Sequence, residues 1–301
     1  MRGSVVAGPG VIATIVMLAA TGTAGRQAAG TTAQNSCEAL RSFRQPDVAI
    51  VDASVIQAGE VHKSDSVPPA QRPTKPYCRV EARIEGNIGF LTWLPLREDW
   101  NGRVLGIGNG GDAGYFSIGG VARAVREGMV GTTTDAGHQG DTDPLWAMSR
   151  KKMEDYTHRA QHLTAVLGRD LMRAYYGTEP RKSYFMGCSG GGRQAQKEMQ
   201  LFPDDYDGII AGAPASQHAV QMARKQWVVH IAEQQPEAAL SDAQWDLVQA
   251  EVVKQCDPVD GLTDGIMENP TGCKFDVTKL ACKTGQTGNT SPSLRIFSTT
   301  T

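Results

Sequence analysis

The segment Gly-Cys-Ser-Gly-Gly (187–191) places a thiol and a hydroxyl side by side, between an apolar stretch and a run of good helix formers. It satisfies G-x-S-x-G, a pattern in which the serine stands at a sharp turn from a strand into a helix. Ser189 is therefore a candidate nucleophile. Gly187 and Gly191 have a steric explanation, because a side chain there would collide as the helix folds back over the strand. Gly190, whose N–H lies at the helix N-terminus, is a candidate donor to an oxyanion.

A second glycine-rich segment, GNGGDAG (108–114), follows the predicted strand 104–107. In folds with this type of turn, the second oxyanion donor comes from the loop after an earlier strand. The candidates are the backbone N–H groups of Gly110 and Gly111, and the pattern does not choose between them. An ordinary flexible turn is the alternative for this segment. A phosphate-binding loop at the serine is not predicted, because G-x-x-x-x-G-K-[ST] is absent.

The sequence supplies no convincing general base. With this motif, an acidic residue and then a histidine follow the serine along the chain. Only His218 and His230 come after it, and both fall in predicted helices. His138 follows a predicted strand but precedes the serine, which is the wrong order. His158 and His162 lie four residues apart without the glutamate of H-E-x-x-H, so no zinc site is predicted there.

Strands and helices alternate along the chain, which indicates an α/β fold with a parallel sheet covered on both faces. Leu163, Leu167, Leu171 and Tyr175 mark one face of the longest helix before the insertion. After residue 215 the alternation stops, and 216–301 is interpreted as the start of an inserted subdomain. The predicted strands are 47–56, 86–96, 104–107, 129–135, 182–187 and a buried strand at 206–215, and the predicted helices are 119–130, 156–176, 191–202, 216–234 and 241–254.

Composition narrows the class of protein and its compartment. With 301 residues, 40% of them hydrophobic, the chain can bury one large core, and a net charge of −2 offers nothing to recruit nucleic acid or an anionic membrane. Arg2, the apolar run 11–20 and the small residues 21–25 are typical of an export signal over 1–26. That run is shorter than the roughly 20 residues needed to span a bilayer. A secreted or periplasmic protein is predicted.

Six cysteines in an exported chain indicate disulfides, although six allow 15 connectivities. Cys256 and Cys273 bracket a turn-rich loop, and Cys37 and Cys78 flank the first segment after the signal. These spacings are hints, and the sequence alone does not pair the cysteines.

Several motifs occurring in order resemble the tannase and feruloyl esterase family over about residues 36–283. They are WNGRVLGIGNGGDAG (100–114), TTTDAGH (132–138), GCSGGGRQ (187–194), FPDDYDGIIAGAPA (202–215) and CDPVDGLTDGIMENP (256–270). The resemblance implies an α/β-hydrolase core at 36–215 with helices on both faces of the sheet. The start of a lid would follow at 216–301. It also implies a secreted serine carboxylic ester hydrolase that acts on small-molecule esters of aromatic acids through an acyl-enzyme.

The same resemblance assigns a structural role to Cys188. In the family, the cysteine before the nucleophile forms a disulfide with a cysteine beside the catalytic histidine. The catalytic Asp and that His-Cys pair are expected beyond residue 301, so the chain is expected to be a truncated and nearly inactive fragment. Pairing Cys37 with Cys78 and Cys256 with Cys273 leaves Cys188 and Cys282, which either pair with each other or stay free.

The Asp- and Gly-rich loop 256–266 is a candidate calcium site. Three carboxylates within eight residues suit a hard cation such as Ca²⁺, although the spacing is not that of an EF-hand. The resemblance implies a structural lid calcium held by the side chains of Asp257, Asp260 and Asp264 and the carbonyls of Leu262 and Ile266. A solvated acidic turn is the alternative.

Two other hypotheses remain open. In the first, the chain is a secreted, calcium-stabilised module that keeps the hydrolase-like fold but binds its ligand without cleaving an ester. A Cys188 nucleophile is the other hypothesis, and it is disfavoured because a cysteine beside the serine is better explained as half of a disulfide.

Overall fold

The computed structural model describes residues 36–140, 145–235 and 240–281. The chain forms two compact units, and the boundary between them along the chain falls between Ser216 and Gln217. The predicted export signal and Cys282 lie outside the described residues.

The first unit is built on a seven-stranded sheet in the order β1-β2-β3-β5-β4-β6-β7. The strands β1 to β3 and the β3–β5 pair are antiparallel, whereas β5, β4, β6 and β7 run parallel to one another. The strands are β1 Val48–Ile56, β2 Tyr77–Ile84, β3 Ile88–Pro95, β4 Arg103–Ile107, β5 Val130–Thr134, β6 Lys182–Cys188 and β7 Gly208–Gly212.

The sheet is mixed, so the prediction of a parallel sheet is correct only for its second half. Strand β2 had not been predicted separately, and only residues 85–87 join it to β3. Such a short connection makes a hairpin, because parallel neighbours need a crossover of a dozen or more residues. Glu85 and Gly86 turn the chain there with positive φ angles of 50° and 71°.

The helices around the sheet that the structure describes in full are α1 Ile118–Arg126, α2 Arg150–Glu154, α3 Ala160–Tyr176 and α4 Gly190–Leu201. A π-helical turn, Asp155–Arg159, joins α2 to α3. Helix α1 packs on β4 and β5 from one side, while α3 packs on β3 and β5, and α4 on β6 and β7.

Two hydrophobic clusters fill the two faces of the sheet. Strand β3 is buried along its whole length and contributes to both, because alternate side chains point to opposite faces. Phe90 and Leu94 join one cluster, together with Leu167 and Leu171 of α3. Leu91 and Trp93 join the other, which includes Val121 of α1. The predicted helix stripe is therefore buried as expected, with Leu163 packed at its margin.

Strand β7 lies at one end of this sheet and is not the buried strand that the sequence predicted. None of its residues is classed as buried, and the Ile210 side chain is 63% exposed. An apolar run does not distinguish a central strand from an edge strand, which has a partner on one side only.

The second unit contains helices α5 His218–Gln234 and α6 Asp242–Cys256. Ser241 and Gln244 form a capping box at the start of α6. A disulfide joins Cys256, at the end of α6, to Cys273, and in the first unit another joins Cys37 to Cys78. Both predicted pairs are therefore present. No helix within the described ranges has the length and apolar character needed to cross a membrane.

Candidate active site

The turn between β6 and α4 centres on Ser189. Its φ of 60° and ψ of −117° lie in a region that residues other than glycine rarely adopt. Two backbone bonds hold this conformation, since Ser189 N donates to the Gly212 carbonyl at 3.0 Å and Arg193 N donates to the Ser189 carbonyl at 3.1 Å. Ser189 is exposed, and nothing among the described residues hydrogen-bonds its hydroxyl. The strand–turn–helix context predicted for G-x-S-x-G is present.

Close backbone approaches explain the glycines of this turn. A methyl group at Gly187 would overlap the carbonyl of Gly191, so the helix folds back directly onto the end of β6. A methyl group at Gly190 would overlap the carbonyl oxygen of Gly111. The glycine loop 108–114 therefore lies against the residue that follows Ser189.

A pair of amide side chains ties this loop to α4. Asn109 N donates to Gln194 Oε1 at 2.9 Å, and Gln194 Nε2 donates to Asn109 Oδ1 at 3.3 Å. Asn109 Nδ2 also donates to the carbonyl of Thr134, at the end of β5. Because both amide side chains are buried, these bonds fix the loop relative to the serine turn.

The two candidate donors of the loop differ in availability. Gly110 N donates to the Tyr115 hydroxyl at 3.1 Å, so this N–H is occupied. Gly111 is exposed, and its N–H has no acceptor among the described residues. Gly190, the first residue of α4, is buried, and its N–H also has no acceptor among the described residues. Gly190 and Gly111 are therefore the two candidate donors whose backbone N–H groups have no acceptor among the described residues.

His138 lies beside the glycine loop. A methyl group added at Gly114 would come within 3.2 Å of its Nε2. The buried ring stacks on Trp146 at 3.8 Å between centroids, and burial lowers the pKa of His138. Burial thus favours the uncharged form of this histidine.

Asp135, at the end of β5, orders the same loop edge. Its Oδ1 accepts from Gly89 N and Gly137 N, and its Oδ2 accepts from Arg83 Nη1 at 2.9 Å. Burial nevertheless raises the pKa of the Asp135 carboxyl. Because both of its oxygens accept these hydrogen bonds, the Asp135 carboxylate holds the backbone at the end of β5 in place.

Tyr156, in the π-helical turn, connects the glycine loop with α4. Its hydroxyl donates to Asp112 Oδ1 at 3.2 Å, and the Arg193 guanidinium lies 4.3 Å above its ring. Burial raises the pKa of Tyr156 to about 12, so the phenol stays protonated and can donate. Arg193 is almost fully buried one helical turn after Ser189, and the cation–π contact partly compensates for its burial.

The remaining histidines have other neighbours. His162 Nδ1 lies 2.7 Å from Asp205 Oδ2, and its ring stacks on Phe202. His158 also stacks on Phe202. His218 and His230 belong to α5 in the second unit.

The carboxylates of the predicted calcium loop are turned toward backbone amides. Asp257 Oδ1 accepts from Gly265 N at 3.0 Å, Asp260 Oδ2 accepts from Glu268 N at 3.0 Å, and Asp264 Oδ1 accepts from Ile266 N at 3.0 Å. No set of three or more His, Cys, Asp or Glu side chains converges on a metal position within 36–140, 145–235 and 240–281.

Sequence reasoning missed the residues that support the turn and the loop. In the sequence, Asn109 differs from its neighbours only in not being a glycine, and Gln194 is only a polar residue about one turn after the serine. Tyr115 belongs to no motif that would have indicated a role. Cys188, which precedes the serine, is exposed and is a free thiol among the described residues.

Comparison with known proteins decides the family. Residues 73–296 match the family model described as tannase and feruloyl esterase. The chain belongs to the tannase and feruloyl esterase family. It is thus a member of a family of carboxylic ester hydrolases, as its motifs predicted.

Curated relatives agree with the family match. The chain is 33% identical over 223 residues to a probable feruloyl esterase B-1 of Aspergillus oryzae, in an alignment covering 72% of this chain and 41% of the relative. It is 37% identical over 227 residues to a probable feruloyl esterase B-2 of Aspergillus flavus, which covers 73% and 43%. The chain therefore spans about two fifths of the length of these relatives.

Solved structures of the tannase and feruloyl esterase family share the fold. Feruloyl esterase B from Aspergillus oryzae matches with a TM-score of 0.75 and 29% identity, covering 87% of this chain and 53% of that one. Tannin acyl hydrolase from Aspergillus niger matches with a TM-score of 0.60 at 24% identity, covering 78% and 46%, and this likeness concerns the fold alone. The first unit therefore has the predicted α/β-hydrolase fold.

Proposed function

We propose that the protein carrying this chain is a serine carboxylic ester hydrolase for esters of aromatic acids, with Ser189 as its nucleophile. The observation that supports this most directly is the φ of 60° at Ser189, which presents an exposed hydroxyl beside the N-terminus of α4. Strain of this kind is retained at functional sites when the surrounding structure holds it in place. The family match and the relatives named as feruloyl esterases favour an aromatic acyl group.

In this proposal, Ser189 Oγ attacks the ester carbonyl while a general base takes its proton. The carbonyl oxygen becomes an oxyanion that accepts hydrogen bonds from Gly190 N–H and Gly111 N–H. We favour Gly111 over Gly110 because Tyr115 occupies the Gly110 N–H. The base then returns the proton to the alcohol as the ester C–O bond breaks. Water, activated by the same base, releases the aromatic acid from the acyl-enzyme.

The general base and its acidic partner are proposed to lie outside these 301 residues. Among the described histidines, His138 precedes the serine in the chain and stacks on Trp146, and His162 pairs with Asp205. The matched relatives are more than twice as long as the aligned segment. The 301-residue chain alone is therefore proposed to be nearly inactive, and export is proposed because disulfides persist in oxidising compartments.

Hydrolysis of methyl ferulate and methyl gallate by the full-length protein tests this function. Ser189→Ala is expected to lower kcat by 10³-fold or more, by analogy with loss of other serine nucleophiles. Cys188→Ala tests the thiol alternative: even if loss of its disulfide slows hydrolysis, a fluorophosphonate probe should still attach to Ser189. Hydrolysis lost in the Cys188 variant but retained in Ser189→Ala would instead identify a thiol nucleophile. An intact protein that neither hydrolyses esters nor takes the probe would be the non-catalytic binding module. Full-rate hydrolysis by the 301-residue chain would disprove the proposed location of the base.

Calcium in the second unit remains a proposal. Its support is the grouping of Asp257, Asp260 and Asp264 in a loop closed by the Cys256–Cys273 disulfide. Binding would require these carboxylates to exchange their backbone hydrogen bonds for the ion, with the carbonyls of Leu262 and Ile266 completing the oxygen ligands. The ion would stabilise this loop and take no part in the chemistry at Ser189.

A further inference from the structure

One tyrosine hydroxyl binds both sides of Gly110. Tyr115 Oη accepts a hydrogen bond from Gly110 N at 3.1 Å and lies 3.3 Å from the Gly110 carbonyl oxygen, to which it donates. These two groups belong to the peptide before Gly110 and the peptide after it. A single side chain thus restrains the orientation of two consecutive peptide planes in the glycine loop.

The second of these planes carries the N–H that the proposed mechanism needs. The Gly110 carbonyl accepts from Tyr115 Oη and also from Ala113 N at 3.2 Å. A trans peptide is planar, so its N–H points in the direction opposite to its C=O. The N–H of Gly111 is therefore directed away from Tyr115 and Ala113, while the carbonyl of Gly111 reaches Gly190 on the serine turn.

The backbone of Tyr115 is itself anchored. Its carbonyl accepts from Asn109 Nδ2 at 2.6 Å, and Asn109 is bound in turn to Gln194 of α4. The loop is consequently closed by two side chains. Asn109 fixes its start and its end to the protein, and the Tyr115 hydroxyl fixes the peptides in the middle.

Packing does not account for a tyrosine at this position. The Tyr115 side chain is 51% exposed and lines an open cavity of about 580 Å³, whose other walls include Arg83, Phe116 and Gln139. An exposed ring contributes little to the core, and loss of its hydroxyl leaves the ring in place. The hydrogen bonds that the structure gives this hydroxyl are both made to the glycine loop.

We infer that Tyr115 is a positioning residue for the oxyanion site. Its hydroxyl holds Gly110 so that Gly111 presents a free N–H beside Gly190. The inference rests on the proposed function for its kinetic consequence, whereas its structural part concerns the loop alone. Without the hydroxyl, both peptides of Gly110 rotate more freely, and the Gly111 N–H is less often in place when the oxyanion forms.

Tyr115→Phe tests the inference in two measurements. In the full-length protein, kcat for methyl ferulate is expected to fall about tenfold with KM changed less than twofold, because the lost interaction concerns the transition state. In the 301-residue chain, amide hydrogen exchange of the segment 108–114 is expected to accelerate about tenfold, while exchange in β3 stays unchanged.

Tyr184→Phe is the matched control. Tyr184 is half-buried on β6, and its hydroxyl has no hydrogen-bond partner among the described residues. This variant should leave both kcat and the exchange of 108–114 unchanged. Thermal melting of each variant checks that the fold is retained.

Three results would overturn the inference. They are unchanged exchange in Tyr115→Phe, unchanged kcat in Tyr115→Phe, and a raised KM at constant kcat, which would make Tyr115 a substrate contact in the cavity. If the unsubstituted full-length protein hydrolyses no ester, the proposed function fails, and the exchange measurement alone decides whether Tyr115 positions the loop.

Discussion

Gln194, 85 residues from Asn109 in the chain, accepts a hydrogen bond from the Asn109 backbone N–H through Oε1 and donates one from Nε2 to Asn109 Oδ1. Both side chains are almost fully buried, so neither has water as an alternative partner. This reciprocal pair joins the helix that begins at the candidate nucleophile to the loop that carries the candidate oxyanion donor.

Gln194→Leu is expected to destabilise the first unit by about 1–3 kcal/mol, because Asn109 N and Oδ1 would remain buried without a partner. Urea unfolding followed by circular dichroism measures this change. Gln200→Leu, at an exposed position of the same helix, is the control and should change stability by less than about 0.5 kcal/mol. Equal stability of the two variants would show that the pair contributes nothing.

Gly190→Ala is expected to disturb the serine turn, because its methyl group would overlap the Gly111 carbonyl. Backbone atoms of Asn109 and Gly111 leave the methyl no space, so the loop and the turn must separate. A stability loss of about 1–3 kcal/mol, typical of overpacking, and slower fluorophosphonate labelling of Ser189 in the full-length protein are expected.

The control for this substitution is Gly119→Ala in helix α1. A methyl group there meets no atom within 4 Å, and this glycine has no positive φ. Alanine should therefore stabilise α1 by up to about 1 kcal/mol through its higher helix propensity. Thermal melts of the two variants should move in opposite directions, and a tolerated Gly190→Ala would contradict the close approach.

Glu198 gives the first unit a pH-dependent stability. It lies fully buried on α4, and burial, followed by the neighbouring Asp205 carboxylate, raises its pKa from 4.5 to about 8. Arg169, on α3, acts in the opposite direction. The folded state thus binds this proton more tightly than the unfolded state, and stability should fall as the pH rises from about 4.5 to about 8 before levelling off.

Glu198→Gln mimics the protonated side chain and removes this contribution. Near pH 5 the variant should match the unsubstituted chain, whereas at pH 9 it should be more stable by about 2–4 kcal/mol. Guanidinium unfolding at pH 5, 7 and 9 measures the difference. Glu60→Gln, at an exposed position, is the control for the loss of one negative charge. A Glu198→Gln profile parallel to that of Glu60→Gln would refute the assignment.

Calcium is expected to raise the melting temperature of the second unit if the carboxylates of the 256–266 loop bind it. Because bound ligand stabilises in proportion to the logarithm of its concentration, the shift should grow steadily from micromolar to millimolar Ca²⁺. Asp257→Asn with Asp260→Asn should abolish the shift, and Glu251→Gln, on α6, should not. Melting that is independent of Ca²⁺ would leave the loop as an acidic turn held by its own amides.

The sequence predicted the serine turn well, because each part of it is local. Gly187, Ser189 and Gly191 lie within five residues, and the strand before them and the helix after them show in the same stretch of chain. The buried face of α3 could also be predicted from the sequence, since Leu167 and Leu171 repeat with the helical period. Both disulfides of the described residues follow the spacing hints and the resemblance.

What the sequence could not supply depends on residues that meet only after folding. No repeating pattern in the sequence indicates the Asn109–Gln194 pair or the Tyr115–Gly110 hydrogen bonds. The position of β7 could not be read from its apolar residues, because an edge strand and a central strand have the same composition here. The antiparallel first half of the sheet follows from the short β2–β3 hairpin, which was missed together with β2.

The exposed position of β7 has a consequence for preparing the chain. Its sequence, Gly-Ile-Ile-Ala-Gly, contains none of the charged residues, prolines or bulges with which proteins discourage the addition of foreign strands. Within the described residues, β7 pairs only with β6, which leaves the backbone groups on its other side, near the exposed Ile210, without a strand partner. Concentrated solutions of this chain are therefore expected to self-associate through intermolecular strand pairing at that edge. A lysine at position 210 would introduce the charge that opposes it.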